Sequence, residues 1–451
     1  MSGEVTLTGW GRTAPTAAWV RTVTAEDVAA EIAAASERGL LVRGLGRSYG
    51  DAAQNAGGVV LTLRDSAPTL VEGGAAVRVS GATSLHDLMA FLLSHQRFVP
   101  VTPGTRYVTV GGAIACDIHG KNHHVAGSFS DHVRSFDLID GTGVTHTVTR
   151  ESDPDTFNAT AGGMGLTGVI TSALIDVLPV ESAWMRVTTE RIGGVREVMD
   201  QIKATDATTT YSVAWIDTLA RGDALGRSVL TRGEHARFDE LGATAAEARW
   251  IPPKGPILHA PPWLPRGLVS LPTITAFNEL WFRKAPRHRE GEIQSISAFF
   301  HPLDAVGGWN RMYGSTGMVQ YQFVVPDEAE DALIEALRII ANARNPSFLA
   351  VLKRFGRGNQ GYLSFPREGW TLALDMPAKV SLIPLFALLD ALVLAAGGRL
   401  YLAKDARMNA ADLATMYPRL PQFQASLTRL DPAGVFQSDL ARRLSLRRST
   451  S

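Results

Sequence analysis

The run Arg43-Gly44-Leu45-Gly46-Arg47-Ser48-Tyr49-Gly50-Asp51 constrains this chain more than any other stretch of it. Glycines let a backbone turn sharply and bring its N–H groups close to phosphate oxygens, which makes an anion-binding nest. In a Rossmann loop the nest opens a helix, and the phosphates rest on the helix N-terminus. Here Ala56-Gly57-Gly58 follow and then a strand-like run, Val59–Leu63, so no helix fits between. The Lys-Ser/Thr pair that ends a Walker motif is also absent. The loop is either a cradle for a phosphate-bearing ligand in some other fold or a glycine-rich connection.

A second run favours the cradle. Pro103-Gly104-Thr105 leads into Thr109-Val110-Gly111-Gly112-Ala113-Ile114-Ala115-Cys116-Asp117-Ile118-His119-Gly120-Lys121-Asn122-His123-His124. Gly111-Gly112 can approach a phosphate closely, and the apolar residues after them can lie against a flat ring. The histidines invite a metal reading, but neighbours such as His123 and His124 point apart on any regular element. The carboxylate and histidine spacing of a zinc enzyme is missing too, so no metal is expected. A third cluster, Gly162 to Gly168, opens directly into a strand over Val169–Val177.

At 451 residues, two domains are expected. The charge balances to zero, without the basic excess of a nucleic-acid binder, so no nucleic-acid partner is expected. The single cysteine, Cys116, excludes an intramolecular disulfide framework and Cys-rich metal sites. Met1 to Val23 lacks the basic and apolar regions of a Sec signal peptide. The most apolar segment, Val380 to Ala396, contains Pro384 and Asp390 and falls short of a membrane span. A soluble or peripheral membrane protein is expected, on either the cytoplasmic or the periplasmic side.

Element signals predict an α+β fold. A helix begins at Thr24, Leu40–Val42 and Val77–Val79 are strands, and Ser84 caps a helix with Leu85, Leu88, Met89 and Leu92 on one stripe. Phe136–Ile139 and Val144–Val148 form a hairpin about Asp140-Gly141. Residues 183–250 give only weak helix and strand signals. Seven prolines make residues 252–273 a long loop, and residues 302–317 a second one. Met318–Val325 alternates, with Gln320 and Gln322 on one face. A helix over 327–343, strands over 348–355 and 370–375, a helix over 380–396 and a strand Leu400–Lys404 complete the series.

In this order the three clusters resemble the FAD-binding domain of the vanillyl-alcohol-oxidase/p-cresol-methylhydroxylase flavoproteins. Further motifs run from Gly9 to Leu446: Gly9–Pro15, Phe299–Asp304, Gln320–Phe323, the strand bearing Lys353 and Tyr401–Asp405. With these the chain is most similar to the decaprenylphosphoryl-β-D-ribose 2-oxidase branch. The resemblance implies a PCMH-type FAD domain over 1–182 completed by 399–451, around a substrate domain over 183–398 with an antiparallel sheet. It also implies oxidation of the ribose 2-hydroxyl of a polyprenyl-phosphate sugar, the first half of an epimerisation that supplies arabinose for actinobacterial cell walls. A short-chain-dehydrogenase reductase using NAD(P)H would complete that epimerisation.

By position, the resemblance assigns FAD contacts to Arg43, Gly44, Leu45, Gly46, Arg47, Ser48, Tyr49, Gly50 and Asp51. The second run adds Gly104, Thr109, Val110, Gly111, Gly112, Cys116, Asp117, Ile118 and His119, and Ile170 and Tyr401 join from elsewhere. Tyr49 stands where several branches carry a flavin-linked histidine, which implies non-covalent FAD. Lys404 is the expected catalytic residue, with His119 and Tyr49 beside it. Gln320 and Gln322 explain themselves best as ligands for sugar hydroxyls, since two amides on a dry core face cost free energy. Lys353, and less directly Arg311, are candidates for the phosphate, with Trp215 and Phe300 walling the pocket. The chain departs from the branch at Phe300, Thr371 and Ala373, where tyrosine, asparagine and cysteine are common. An oxidase of a soluble polyol or aldonolactone, and a non-catalytic flavin- or lipid-binding protein, are the alternative readings.

Overall fold

The computed structural model of the protein describes residues 3–251, 255–261, 263–264 and 267–447. The N-terminal part is α+β, as expected. A four-stranded sheet runs in the order Gly3–Leu7, Thr16–Val23, Val59–Leu63, Leu40–Val42, its last three strands parallel. The glycine loop joins the two parallel neighbours Leu40–Val42 and Val59–Leu63 with no helix in between. A five-stranded antiparallel sheet follows, in the order Thr69–Val71, Ala76–Ser80, Val169–Asp176, Val133–Ile139, Thr145–Thr149. Its last pair is the expected hairpin, closed by Asp140 accepting from the amides of Thr142 and Val144.

Local chemistry sets the helix ends. Ser84 accepts from the Asp87 amide at 3.1 Å and opens Leu85–Ser94, whose apolar stripe is fully buried. Thr24 does not start its helix. Asp27 accepts from the Thr24 amide and hydroxyl, closing a turn, and the helix begins at Val28. In the second glycine run the apolar stretch becomes a six-residue helix, Val110–Ala115, capped by Thr109 accepting from Gly112.

Residues from Trp184 onward build one eight-stranded antiparallel sheet. Its order is His288–Ser295, Trp184–Ile192, Ser228–His235, Tyr211–Ile216, Ala350–Phe355, Gly369–Pro377, Met318–Val325, Arg399–Leu400. Helices Val195–Thr205, Glu330–Ala343 and Ile383–Ala395 bury one face of it through Val198, Leu333, Leu337 and Leu389 against Tyr321, Phe323 and Leu372. Because side chains alternate along a strand, Gln320, Gln322, Lys353 and Ala373 fall on the opposite face, which roofs a large cavity.

Three expectations need correction. The strand Leu400–Lys404 is only Arg399–Leu400. Tyr401 to Lys404 form a helical turn, with the Lys404 amide on the Tyr401 carbonyl at 2.9 Å, because Tyr401 must turn inward to reach the Cys116 carbonyl. Within 252–273, some of which lies outside the described residues, Leu258–His259 pairs in parallel with Val306–Gly307. Leu271–Lys284 is a helix whose Pro272 sits in the first turn, where no N–H is needed. Residues 302–317 wind as tight 3-10 turns, Pro302–Ala305 and Trp309–Thr316, about that short strand.

The C-terminus returns to the first sheet. The Leu40 amide bonds the Val435 carbonyl, and Arg443 pairs with both Asp51 and Asp405. Among the described residues no helix is long and apolar enough to cross a membrane.

Candidate active site

The two glycine loops and the polar face of the eight-stranded sheet enclose one cavity of about 1610 Å³. Single small-ligand pockets span roughly 300–1,000 Å³, so this space admits a dinucleotide and a second molecule. The loops are built to face it. Arg43 is tied to the carbonyls of Ala53 and Thr8 at 2.6 and 2.8 Å, and Arg47 donates to the Tyr107 carbonyl at 3.1 Å while stacking on Trp10. Gly46 needs its positive φ of 63°, and at Gly50 a Cβ would meet the Asp405 carbonyl oxygen at 2.0 Å. Between the bonded amides of Arg43 and Tyr49, the amides of Gly44, Leu45, Gly46, Arg47 and Ser48 have no intramolecular acceptor among the described residues. Consecutive unsatisfied N–H groups on a cavity wall are the nest that an anionic group requires.

The sheet brings its polar residues to the same cavity. Gln322 is buried and its amide nitrogen lies 3.1 Å from His119 Nε2, reaching the Thr371 hydroxyl at 3.4 Å on its other side. With that nitrogen donating, the imidazole proton rests on Nδ1, which has no partner among the described residues. Burial first, then the charges of Lys353, His123 and Lys404, push the His119 pKa well below the usual histidine range, so the ring is neutral. Gln320 donates to Asp375, its register partner on the neighbouring strand, and reaches the Tyr49 hydroxyl.

Three of the lysines that border this cavity, Lys404, Lys353 and Lys121, have their pKa lowered by burial. Lys404 lies with Nζ 3.9 Å from the centroid of Tyr49. Burial lowers its pKa, and the nearby Asp375 carboxylate opposes that shift. Asp375 is itself pushed up by burial. Lys353 is lowered to about 7 by burial and then by Lys404, and its Nζ is 3.5 Å from the Gly120 carbonyl. Lys121 is also lowered to about 7, by burial and then Lys353, and donates to the Phe299 carbonyl. Burial raises the Cys116 thiol to about 11, so it stays protonated at neutral pH, 4.0 Å from the Ser48 hydroxyl.

Most of the expected residues meet here. Gly104, Thr109, Gly111, Gly112, Ile118, Ile170, Tyr401, Trp215 and Phe300 all border the cavity. Five do not. Val110 is core, and Gly50 packs on Asp405. Asp51 answers Arg443, while Asp117 accepts from Ser130, Asn359 and Ser364 inside the protein. Arg311 donates to the Ala260 carbonyl at 2.9 Å and is not on the cavity wall. Two residues of the site had escaped the sequence reading. Lys121 follows His119 by two, and Asp375 follows Ala373 by two on the strand facing Gln320, a period-2 signal that was open to view.

Cavity, nest and buried lysines define a dinucleotide-dependent enzyme, and comparison with known proteins supplies its class. Residues 16–149 match the FAD binding domain family, so the chain is an FAD-dependent oxidoreductase. Residues 358–444 match the D-arabinono-1,4-lactone oxidase family. The chain is 44% identical to decaprenylphosphoryl-β-D-ribose oxidase of Mycolicibacterium smegmatis over 98% of its own length and 97% of the relative's, and it belongs to that family. It is also 39% identical, over 80% of its length and all of the relative's, to an uncharacterized protein in the mprA 5' region of Streptomyces coelicolor. Cytokinin dehydrogenase 5 of Oryza sativa is 33% identical over 36% of this chain and 34% of its own.

Proposed function

We propose that this protein oxidises the 2-hydroxyl of decaprenylphosphoryl-β-D-ribose, or a close polyprenyl-phosphate pentose, to the ketone. The observation that carries the reading is the convergence of two side-chain amides, Gln320 and Gln322, with Lys404, Lys353 and Lys121 in one cavity beside the run of unsatisfied loop amides. In this reading residues 1–182 and 399–451 hold FAD, and 183–398 hold substrate.

The nest amides of Gly44 to Ser48 would hold the pyrophosphate of FAD, and Tyr401, Ile118 and Ile170, which border the same cavity, would offer it apolar contact. FAD is held without a covalent bond, since the loop offers Tyr49 and the neighbouring thiol Cys116 is protonated. Bound FAD supplies the acceptor for the hydride that leaves the sugar carbon. Lys404, partly neutral because it is desolvated, accepts the hydroxyl proton. The Tyr49 ring shields it from water, and Asp375, through Gln320, holds the polar chain behind it. Gln322 fixes the orientation of neutral His119 at the cavity wall. Lys353 and Lys121 meet the phosphate. The ketone then needs a separate reductase, for which an NAD(P)H-dependent short-chain dehydrogenase is the fitting partner.

The match of residues 358–444 to a lactone oxidase family favours, as a second reading, a soluble aldonolactone substrate. Anaerobic flavin bleaching separates the two. A prenylphosphoryl ribose should reduce the flavin fast, and a free aldonolactone or xylitol slowly. The reverse order sinks the first reading.

A further inference from the structure

The cavity reaches well beyond the groups that the proposed chemistry uses, and strand register carries its wall across the sheet. Gln322 is paired with Ala373, Ala373 with Val351, Val351 with Trp215, and Trp215 with Val229, and all five border the cavity. Past Gln322 this row is apolar. The residues that alternate with it, Ala214, Leu230, Leu352 and Leu372, are fully buried against the helices on the other face. Val213, Trp215 and Val351 keep partial exposure in mid-sheet, and the cavity is what they are exposed to.

Helix Leu271–Lys284 stands against the far end of the row. Asn278 donates at 2.7 Å to Asp217, the residue after strand Tyr211–Ile216, and Glu279 pairs with Arg227, the residue before strand Ser228–His235. The preceding residue, Phe277, packs edge-on against Phe348, whose carbonyl accepts from the Trp215 indole at 3.1 Å. Ile274, Phe277 and Trp281 border the cavity from this side. Sheet and helix thus bound an apolar slot, which water fills at a cost in free energy and an apolar ligand at a gain.

Two observations fix what fills it. The first is where the slot begins. Lys353 stands two residues after Val351 on the same strand, about 7 Å away, so a phosphate at Lys353 directs its substituent onto Val351 and Trp215. The second is where it stops. Val213 is opposite Thr231, Thr231 opposite Thr189 and Thr189 opposite Arg289, and with all four on the cavity wall the lining turns polar at Thr231. From Val351 to Val229 is two strand spacings, about 10 Å. An isoprene unit, four C–C bonds long, spans about 5 Å. We infer that the slot between Val351, Trp215, Val229 and helix Leu271–Lys284 binds roughly the first two or three isoprene units of a prenyl phosphate, and that a longer chain gains nothing more from it. This rests on the polyprenyl-phosphate reading and adds to it a limit on the length of chain that the protein recognises.

Titration calorimetry of the FAD-loaded protein with dimethylallyl, farnesyl and geranylgeranyl phosphates, which carry no sugar, tests it. Wild-type protein should bind farnesyl phosphate at least about tenfold more tightly than dimethylallyl phosphate. Geranylgeranyl phosphate should gain less than about twofold over farnesyl, because its last unit lies past the apolar row. The double variant Val213→Thr/Val229→Thr keeps the shape of both side chains and sets a hydroxyl into the slot from each, so it should fold and retain FAD. Its preference for farnesyl over dimethylallyl phosphate should fall to about threefold or less. Equal affinities along the wild-type series, a gain that continues undiminished to geranylgeranyl, or an undiminished preference in the double variant overturns the proposal. Flavin reduction by farnesylphosphoryl ribose is read separately. If it fails while the phosphates bind as expected, the sugar-oxidation reading falls and the slot stands. If it succeeds while the phosphates show no dependence on length, the slot falls and the oxidation reading stands.

Discussion

The Lys404 ammonium lies 3.9 Å from the centre of the Tyr49 ring, and the two residues reach that position from opposite ends of the chain. Tyr49 comes from the first glycine loop, Lys404 from the turn after strand Arg399–Leu400, and the Tyr49 amide is bonded to the Ala403 carbonyl at 2.9 Å. The cofactor loop and the proposed base are therefore clamped to one another, and the lysine is kept out of bulk water.

Replacing Lys404 by Met should remove proton acceptance and leave FAD in place, because the nest amides do not involve it. We expect the rate of anaerobic flavin reduction to fall by roughly 10²–10⁴, the usual worth of a positioned acid–base group. Stopped-flow bleaching reads this directly, and near-wild-type bleaching with full flavin content would remove Lys404 from the mechanism.

Lys353 gives a pH dependence with a definite sign. Its pKa is lowered to about 7, so it is a cation below that pH and increasingly neutral above it. A phosphodiester keeps its single charge throughout this range. The affinity for an unreactive 2-deoxy prenylphosphoryl sugar, a readout that proton acceptance by Lys404 does not enter, should therefore decline as pH rises through about 7, whereas flavin content stays constant. Lys353→Met should weaken this binding about tenfold or more at pH 6 and flatten the dependence. Lys121 shares the lowered pKa, so a residual slope in the single variant points to it.

Arg443 ties the C-terminal helix to the glycine loop through Asp51 and Asp405 at 2.7 and 2.8 Å. Asp405 is 2% exposed at its side chain, and removing its cation leaves it buried and unpaired. Arg443→Met should cost about 3 kcal/mol, the low end for breaking a buried pair. Denaturant midpoints of the apoprotein would measure it. Loss of FAD without loss of stability would instead make Arg443 a ligand.

Intact mass after denaturation tests two features together. The chain should weigh as protein alone, since FAD is expected to be non-covalent. A thiol-directed reagent small enough to enter the cavity should add little mass to the wild type at neutral pH, where Ala373 borders the cavity and the thiol of Cys116 is protonated. Ala373→Cys should gain the adduct, and an adduct on wild type is the contrary result.

The sequence was sufficient for much of this protein, for reasons that are local. Glycine spacing with no room for a helix excluded a Rossmann site, and the period-2 run Met318–Val325 placed Gln320 and Gln322 on one face before any contact was known. Motif order then carried the FAD assignment, since loop chemistry is written in contiguous residues. What the tertiary structure decided depends on partners far apart in the chain. Asp51, Asp117 and Arg311 look like ligands in sequence, yet Arg443, Ser364 and the Ala260 carbonyl claim them. Lys121 and Asp375 look like ordinary charged residues, and only the packing of strand Gly369–Pro377 and the second loop around one cavity desolvates them and shifts their titration. A charge in sequence has no environment, and it is the environment, set by distant residues meeting, that separates a structural ion pair from a group available for chemistry.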